Sequence, residues 1–351
     1  MRTVPARVRT GVRLVATLGV GALVLASCAS TPVASPRLSG TPALSISVPL
    51  SGVGCTLIDV CLAVGTSSAS VGPTAVGEFS TPAGRWFALS LPTSPSPLIT
   101  SIACSQSSCL VAGSQPGRDL LWHFDATNHA LSVATPPPGG VGVEALNCAG
   151  LNCALVDTSA QVGVPRFSFS ADGGLSWTNP LFMSWAKGDT VTTLACGAVF
   201  DCVVGALSPQ HQFVLYVTRD GGVTWNERTT PRAWTTMTSL TCAQLRCVAL
   251  AGTAHSSLLI RSNTFARAWT DVSLAQRANA LACSTWSTCV VVGQRANETP
   301  WLATVHKGTT LSASLRYVPT PLLSVACGTK RCAAIAVTTL VNVPLTAARR
   351  T

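Results

Sequence analysis

The chain has 351 residues, of which 10% are charged and 47% hydrophobic, and its formal net charge is +10. This composition excludes a disordered chain and gives length for one large or two ordinary domains. The 28 glycines and 22 prolines are spread along the sequence, which favours many short elements joined by turns over long helices. Four arginines (Arg2, Arg7, Arg9, Arg13) stand in an N-terminal stretch without acids, and the rest of the chain carries only +6. Its basic residues are scattered, whereas a nucleic-acid surface would cluster them on one face, so no nucleic-acid partner is expected.

The N-terminus, MRTVPARVRTGVRLVATLGVGALVLASCAS, is a basic stretch followed by an apolar run from Leu14 to Leu25. That run is too short to span a bilayer as a helix, which needs about 20 residues, and it has the form of a secretory signal. Leu25-Ala26-Ser27-Cys28 resembles a bacterial lipobox. The resemblance implies cleavage before Cys28 and acylation of that cysteine, with membrane lipid as a partner through the acyl chains. Residues 1–27 are therefore read as a lipoprotein signal peptide. Residues 28–41 are a Ser/Pro-rich tether, and 42–351 a folded domain on the outer side of the cytoplasmic membrane, in the cell envelope.

Apart from Cys28, fourteen cysteines fall in seven close pairs: Cys55/Cys61, Cys104/Cys109, Cys148/Cys153, Cys196/Cys202, Cys242/Cys247, Cys283/Cys289 and Cys327/Cys332. First cysteines follow one another at steps of 49, 44, 48, 46, 41 and 44 residues. A period near 45 is the length of a four-stranded propeller blade, but also of armadillo and HEAT helical repeats. Strand character decides between them. Val53, Ile102, Leu146, Leu194, Leu240, Leu281 and Val325 each stand two places before a first cysteine. An apolar, often β-branched run such as CLVAG or CVVVG follows each second one. Alternation before and a continuous run after describe two strands of a hairpin. Four or five residues between the cysteines suit its loop and bring the sulfurs opposite each other as a disulfide. Each bridge closes a short loop worth about 2 kcal/mol by chain entropy, and export supplies the oxidising compartment. Zinc fits poorly, because its knuckles are C-x2–4-C and seven pairs do not divide into four-ligand sites.

The second half of each repeat is marked by Ser170-Ala171-Asp172-Gly173-Gly174-Leu175-Ser176-Trp177 and Thr218-Arg219-Asp220-Gly221-Gly222-Val223-Thr224-Trp225. Both resemble the Asp-box, S-x-D-x-G-x-[ST]-W, of bacterial neuraminidase repeats. The resemblance implies structural roles for Ser170, Asp172, Gly174, Trp177, Thr218, Asp220, Gly222 and Trp225 in a turn between third and fourth strands. The carboxylate would accept backbone N–H groups, the glycines would allow positive φ and the Trp would pack between blades. Elsewhere the box decays but its position holds: Trp86, Leu131, Trp269 and Leu311 follow their second cysteines by 25, 22, 22 and 22 residues, against 24 and 23 for Trp177 and Trp225. The seventh repeat is short, with nineteen residues after Cys332. ALSISVPLS (43–51) is read as its missing outer strand, closing the ring and removing two sheet edges.

The expected fold is thus all-β, a seven-bladed propeller with one disulfide-stapled hairpin per blade and an N-terminal strand completing the last. Over residues 43–345 the chain is similar to the sialidase-like superfamily of propellers, nearest to the photosystem II assembly/stability-factor type. Sialidase chemistry needs an arginine triad, a Tyr–Glu nucleophile and an Asp acid. The chain has only Tyr216 and Tyr317, with Tyr216 placed on a third strand as packing. Its four glutamates are Glu78, Glu144, Glu227 and Glu298, and no Phe-Arg-Ile-Pro-like motif stands near its start. No catalytic residue, metal or cofactor is expected, and the five histidines show no metal spacing. Hairpins and Asp-box turns share one face of a propeller. The opposite face would carry Arg118, Trp185, Lys187, His211, Arg232, Trp234, His255, Arg277, Arg295 and Glu298, an Arg/Trp-bearing surface suited to a protein or a glycan. The expected function is a membrane-anchored, non-enzymatic propeller that binds a protein or helps assemble a complex. The alternative is a carbohydrate-binding or degenerate glycoside-hydrolase-like propeller.

Overall fold

The structure is a computed structural model that describes residues 44–45 and 49–345, apart from 70–71, 92–96, 184–185, 199, 232, 254–255, 275, 307–308, 315–317 and 319. The expected signal peptide, Cys28 and the tether lie outside the described residues, as do Trp185, Arg232 and His255.

Seven four-stranded antiparallel sheets make a seven-bladed propeller. The first strand of each blade is innermost. These are Gly52–Cys55, Leu98–Cys104, Gly140–Ala149, Thr190–Ala198, Thr236–Ala243, Arg277–Thr285 and Ser324–Cys327. Each touches the first strand of the next blade, and the seventh touches the first. Second strands are buried on both sides by neighbouring blades, which is why they read as unbroken apolar runs. Leu62, Ala63 and Val64, like Val290, Val291 and Val292, are wholly buried.

The last blade is made from both ends of the domain. Leu44–Ser45 is its outer strand, pairing Leu44 with Leu340 and Ser45 with Thr339. Asp59, on the first hairpin of blade 1, fastens the closure. Its carboxylate accepts the Thr329 hydroxyl at 2.8 Å and the Lys330 amide at 2.9 Å, both on the hairpin of blade 7. Asn342 adds a second tie, accepting from Trp86 Nε1 at 3.2 Å and donating to the Gly84 carbonyl at 3.0 Å.

All seven cysteine pairs are directly opposed across their hairpins and bonded, with Cα atoms 3.9–4.1 Å apart. Each disulfide also lies in the interface with the preceding blade, against the small or polar residue that stands just before that blade's first cysteine. Cys148 and Cys153 share a core with Ala103, Cys242 and Cys247 with Ala195, and Cys55 and Cys61 with Ala326. At Gly54 the fit is tightest: a β-carbon there would lie 2.5 Å from Cys104 Sγ.

The turns from third to fourth strand dock on the hairpin of their own blade. Gly173 N–H donates to the Leu151 carbonyl at 2.8 Å, Gly221 to Phe200 at 3.1 Å and Phe265 to Leu245 at 2.8 Å. In blade 3, Asp172 Oδ1 accepts the Leu175 and Ser176 amides at 3.0 and 2.9 Å, and Ser170 Oγ accepts the Gly174 amide at 2.8 Å. Burial acts to raise the Asp172 pKa, but hydrogen bonds from Ser176, Ser170 and Leu175 outweigh it and bring it down to about 2. Asp220 repeats the arrangement, its pKa lowered by the Thr224 hydroxyl and amide. Gly174 and Gly222 have φ of +89° and +92°. A β-carbon on either would also strike the previous blade, 2.2 Å from Leu110 or 2.4 Å from Phe167. Trp177 and Trp225 pack into the blade 2–3 and blade 3–4 cores.

Blade 5 makes the same turn from other residues. Ser262 Oγ accepts the Ala266 amide at 3.0 Å, and Thr264 Oγ1 accepts the Ala268 amide at 3.0 Å in the place of an Asp carboxylate. Phe265 and Ala266 replace the two glycines at φ of +51° and +59°, a left-handed conformation costing roughly 1 kcal/mol per residue. Ala266→Gly, which shortens a buried side chain, is therefore expected to stabilise the protein by about 1 kcal/mol. Urea unfolding followed by circular dichroism measures it; a lower midpoint contradicts the strain.

Candidate functional site

The turns between second and third strands and the links between blades form the face opposite the disulfide hairpins. A cleft of about 730 Å³ opens on this face between blades 5 and 6. Arg277 and Asn279, at the start of the first strand of blade 6, form one wall. Arg295 and Glu298, on the next turn of the same blade, reach in from the side, and Thr236 and Thr238 at the start of blade 5 face them. The Glu298 turn is held by Arg295 N–H to Thr299 carbonyl and Glu298 N–H to Arg295 carbonyl, both 2.9 Å, with Glu298 at φ +62°. His211 has the same place and hand, φ +58°, in the matching turn of blade 4. Asn279 Nδ2 donates to the Leu322 carbonyl at 2.8 Å, bracing the cleft wall against the blade 6–7 link. The lining is thus two guanidiniums, one carboxylate, amides and hydroxyls, chemistry that matches carboxylates and the peptide backbone.

Three of the expected face residues, Arg277, Arg295 and Glu298, come together in this cleft. Arg118, Lys187 and His211 are exposed on the same face but on blade 2, the blade 3–4 link and blade 4. Arg118 Nε donates to Gln115 at 3.2 Å across its own turn. Trp234 requires a correction. It is buried, 5% exposed, in the core between blades 4 and 5. Its amide donates to the Pro231 carbonyl at 2.9 Å and its ring meets Trp269 edge-on at 6.1 Å. The link from blade 4 folds this indole inward because the widening gap between blades needs a large plug. Tyr216 lies on the third strand Phe213–Thr218 of blade 4, 7% exposed, and its hydroxyl donates to Asp189 at 2.8 Å. Burial, then that bond, push its pKa up.

A second polar cluster on this face escaped sequence reading. Asp119 opens the third strand of blade 2, while Asp157 and Arg166 face each other across two strands of blade 3. Arg166 holds Asp157 with two parallel N–H···O bonds of 2.8 Å and gives a third, also 2.8 Å, to the Pro138 carbonyl. All three side chains converge on Gly140. Asp119 Oδ2 and Asp157 Oδ2 each lie 2.4 Å from where a Gly140 β-carbon would sit, so the carboxylates are within about 5 Å, close enough to repel. Asp119 is 4% exposed and neither of its oxygens makes a well-formed hydrogen bond. Burial and the Asp157 charge raise its pKa to about 6; the Gly142 and Val143 amides and Arg166 offset this only in part.

No protein-family model and no curated protein matches the chain. Solved structures do. A structure of YCF48 bound to D1 peptide has TM-score 0.60 at 13% identity, covering 86% of this chain and 96% of that one. YCF48 from Cyanidioschyzon merolae has TM-score 0.60 at 10% identity, covering 87% and 98%. Virginiamycin B lyase from Staphylococcus aureus also scores 0.60 at 10% identity, covering 87% and 98%. At such identities the likeness is one of fold.

The folded pKa of Asp119, about 6, lies above its ordinary 3.8. The folded protein therefore holds this proton more tightly than the unfolded chain, and stability falls as pH rises from 4 through 6. Asp119→Asn should stabilise the protein by about 2 kcal/mol at pH 7.5 and by little at pH 4. Thermal melts at the two pH values measure the difference; an equal effect at both contradicts the raised pKa.

Proposed function

We propose that the chain is an exported, lipid-anchored propeller of the bacterial envelope that binds a protein partner without catalysing a reaction, and that the blade 5–6 cleft receives an extended acidic segment of that partner. The observation that carries this reading is the cleft itself, with Arg277 and Arg295 beside a single carboxylate and a lining of amides and hydroxyls. Guanidiniums bind side-chain carboxylates strongly, and amides and hydroxyls suit the alternating donors and acceptors of a peptide. Among the solved propellers of this shape, one was captured with a peptide, which supports a peptide-binding reading; another is a lyase, so the shape alone does not decide between binding and catalysis. The burial of Tyr216 speaks against it as a glycosidase nucleophile. A glycan is the weaker ligand here, because no aromatic ring for a sugar to stack on lines the cleft among the described residues. The Cys28 anchor rests on the sequence of residues 25–28.

A photoreactive amino acid placed at Gln276, on the cleft wall, tests the reading in the producing bacterium. Ultraviolet capture should give a protein adduct. In Arg277→Glu/Arg295→Glu the yield should fall about tenfold or more, with the melting temperature unchanged. Equal capture by the double variant, or an adduct destroyed by glycosidase but not by protease, overturns it.

A further inference from the structure

The disulfide face carries an apolar crescent that the cleft does not use. Leu151, Phe200 and Leu245 sit on the hairpin turns of blades 3, 4 and 5, and Leu175 and Val223 on the neighbouring third-to-fourth turns of blades 3 and 4. All five are 51–71% exposed. They stand on one linked surface. Gly173 joins the two turns of blade 3 and Gly221 those of blade 4, and Gln244 N–H donates to the Gly197 carbonyl at 2.6 Å between blades 4 and 5. The crescent ends at the half-buried Trp286 of blade 6, with Arg246 stacked over its ring at 5.5 Å. The turns that carry these tips are fixed by backbone hydrogen bonds and disulfides, and Phe200 also packs on the buried Phe169, with ring centroids 5.3 Å apart.

We propose that this face rests on a phospholipid bilayer, the five apolar tips entering the headgroup layer while Arg219 and Arg246, both exposed between them, reach the phosphates. Three observations favour a bilayer over a protein. The tips are single side chains on separate, braced turns, a pattern that suits shallow insertion at several points more than one complementary pocket. Trp beside Arg at the edge matches the residues found at the membrane interface. The third observation is where the chain enters the domain. Leu44–Ser45 pairs at the start of Thr339–Pro344 and points, in chain direction, away from the disulfide side, where Pro344 lies opposite Arg331. Only 15 residues stand between Cys28 and Leu44. A tether of at most about 55 Å would keep lipid at high local concentration near the domain. This part of the inference rests on the lipid-anchor reading above. The orientation leaves the cleft facing away from the membrane.

The test uses the protein matured in bacterial membranes, purified in detergent and reconstituted into phosphatidylethanolamine/phosphatidylglycerol vesicles containing a photoactivatable phospholipid. Peptide mapping by mass spectrometry should place lipid adducts on the turns at 150–151, 173–176, 200, 221–224 and 244–245. Adducts should fall at least five-fold in Leu151→Ser/Val223→Ser/Leu245→Ser, three exposed positions whose change should leave the melting temperature unaltered. Adducts spread evenly over both faces, confined to the cleft face, or undiminished in the triple variant would overturn the proposal, as would a co-purifying protein cross-linked to these turns in place of lipid. The mass of the Cys28 peptide reports the anchor separately. An acylated peptide without turn adducts defeats the lipid face alone, and turn adducts with an unmodified Cys28 defeat the anchor alone.

Discussion

Each blade meets its neighbour near the propeller axis, where the inner strands are crowded and space for side chains is least. The chain meets that constraint with a disulfide lying flat across each hairpin and a small or polar residue on the blade before it. Gly54, Ala103, Ala195, Ala282 and Ala326 all stand one place before a first cysteine and lie against the next blade's sulfurs. The contact is direct at Cys55 Sγ, 3.4 Å from the Ala326 carbonyl, and at Cys327 Sγ, 3.7 Å from the Ala282 carbonyl. Six of the first-strand cysteines line the mouth of the central channel on this face, a space of about 360 Å³. The bridges thus do two things: they fix hairpins too short to be stable alone, and they supply dense, polarisable filling at the joint between blades.

Once the joint is fixed, the two faces separate in character. On the disulfide face, hairpins, the docked third-to-fourth turns and the Asp59 fastener tie the backbone together, so the exposed apolar tips of blades 3 to 5 are held rigidly. On the opposite face polar side chains gather in the blade 5–6 cleft and around Gly140. The buried Asp119 costs stability at neutral pH, a cost borne by a ring closed through both of its ends.

Most of the fold was legible in the sequence because the joint repeats. Fourteen cysteines in register, apolar residues two places before and apolar runs after give the period, the hairpin and the strand class without tertiary information. The first strand of the domain was legible for a similar reason: a seventh repeat lacking an outer strand leaves an edge, and within the expected 43–51 it is Leu44–Ser45 that pairs there. The blade 5 turn was visible only through the position of Trp269, since Phe265 and Ala266 hide the glycine signal behind left-handed backbone. The site was much less legible. The cleft is assembled from residues of two blades some forty positions apart in sequence, and nothing local marks Thr236 or Asn279 as its walls. The Asp119–Asp157–Arg166 cluster joins blades 2 and 3 in the same way. Trp234 misled because an aromatic beside Pro and Arg in a loop reads as exposed, while the gap between diverging blades takes it inside.

The claim on which this description most depends is that every bridge is local, one across each hairpin, and seated in the joint with the preceding blade. Proteolytic mapping of the native protein by mass spectrometry, without reductant and with free thiols blocked at lysis, addresses it most directly. Seven linked pairs are predicted, each closing four or five residues: Cys55–Cys61, Cys104–Cys109, Cys148–Cys153, Cys196–Cys202, Cys242–Cys247, Cys283–Cys289 and Cys327–Cys332. Blocked thiols at these positions, or links joining cysteines of different blades, would contradict it.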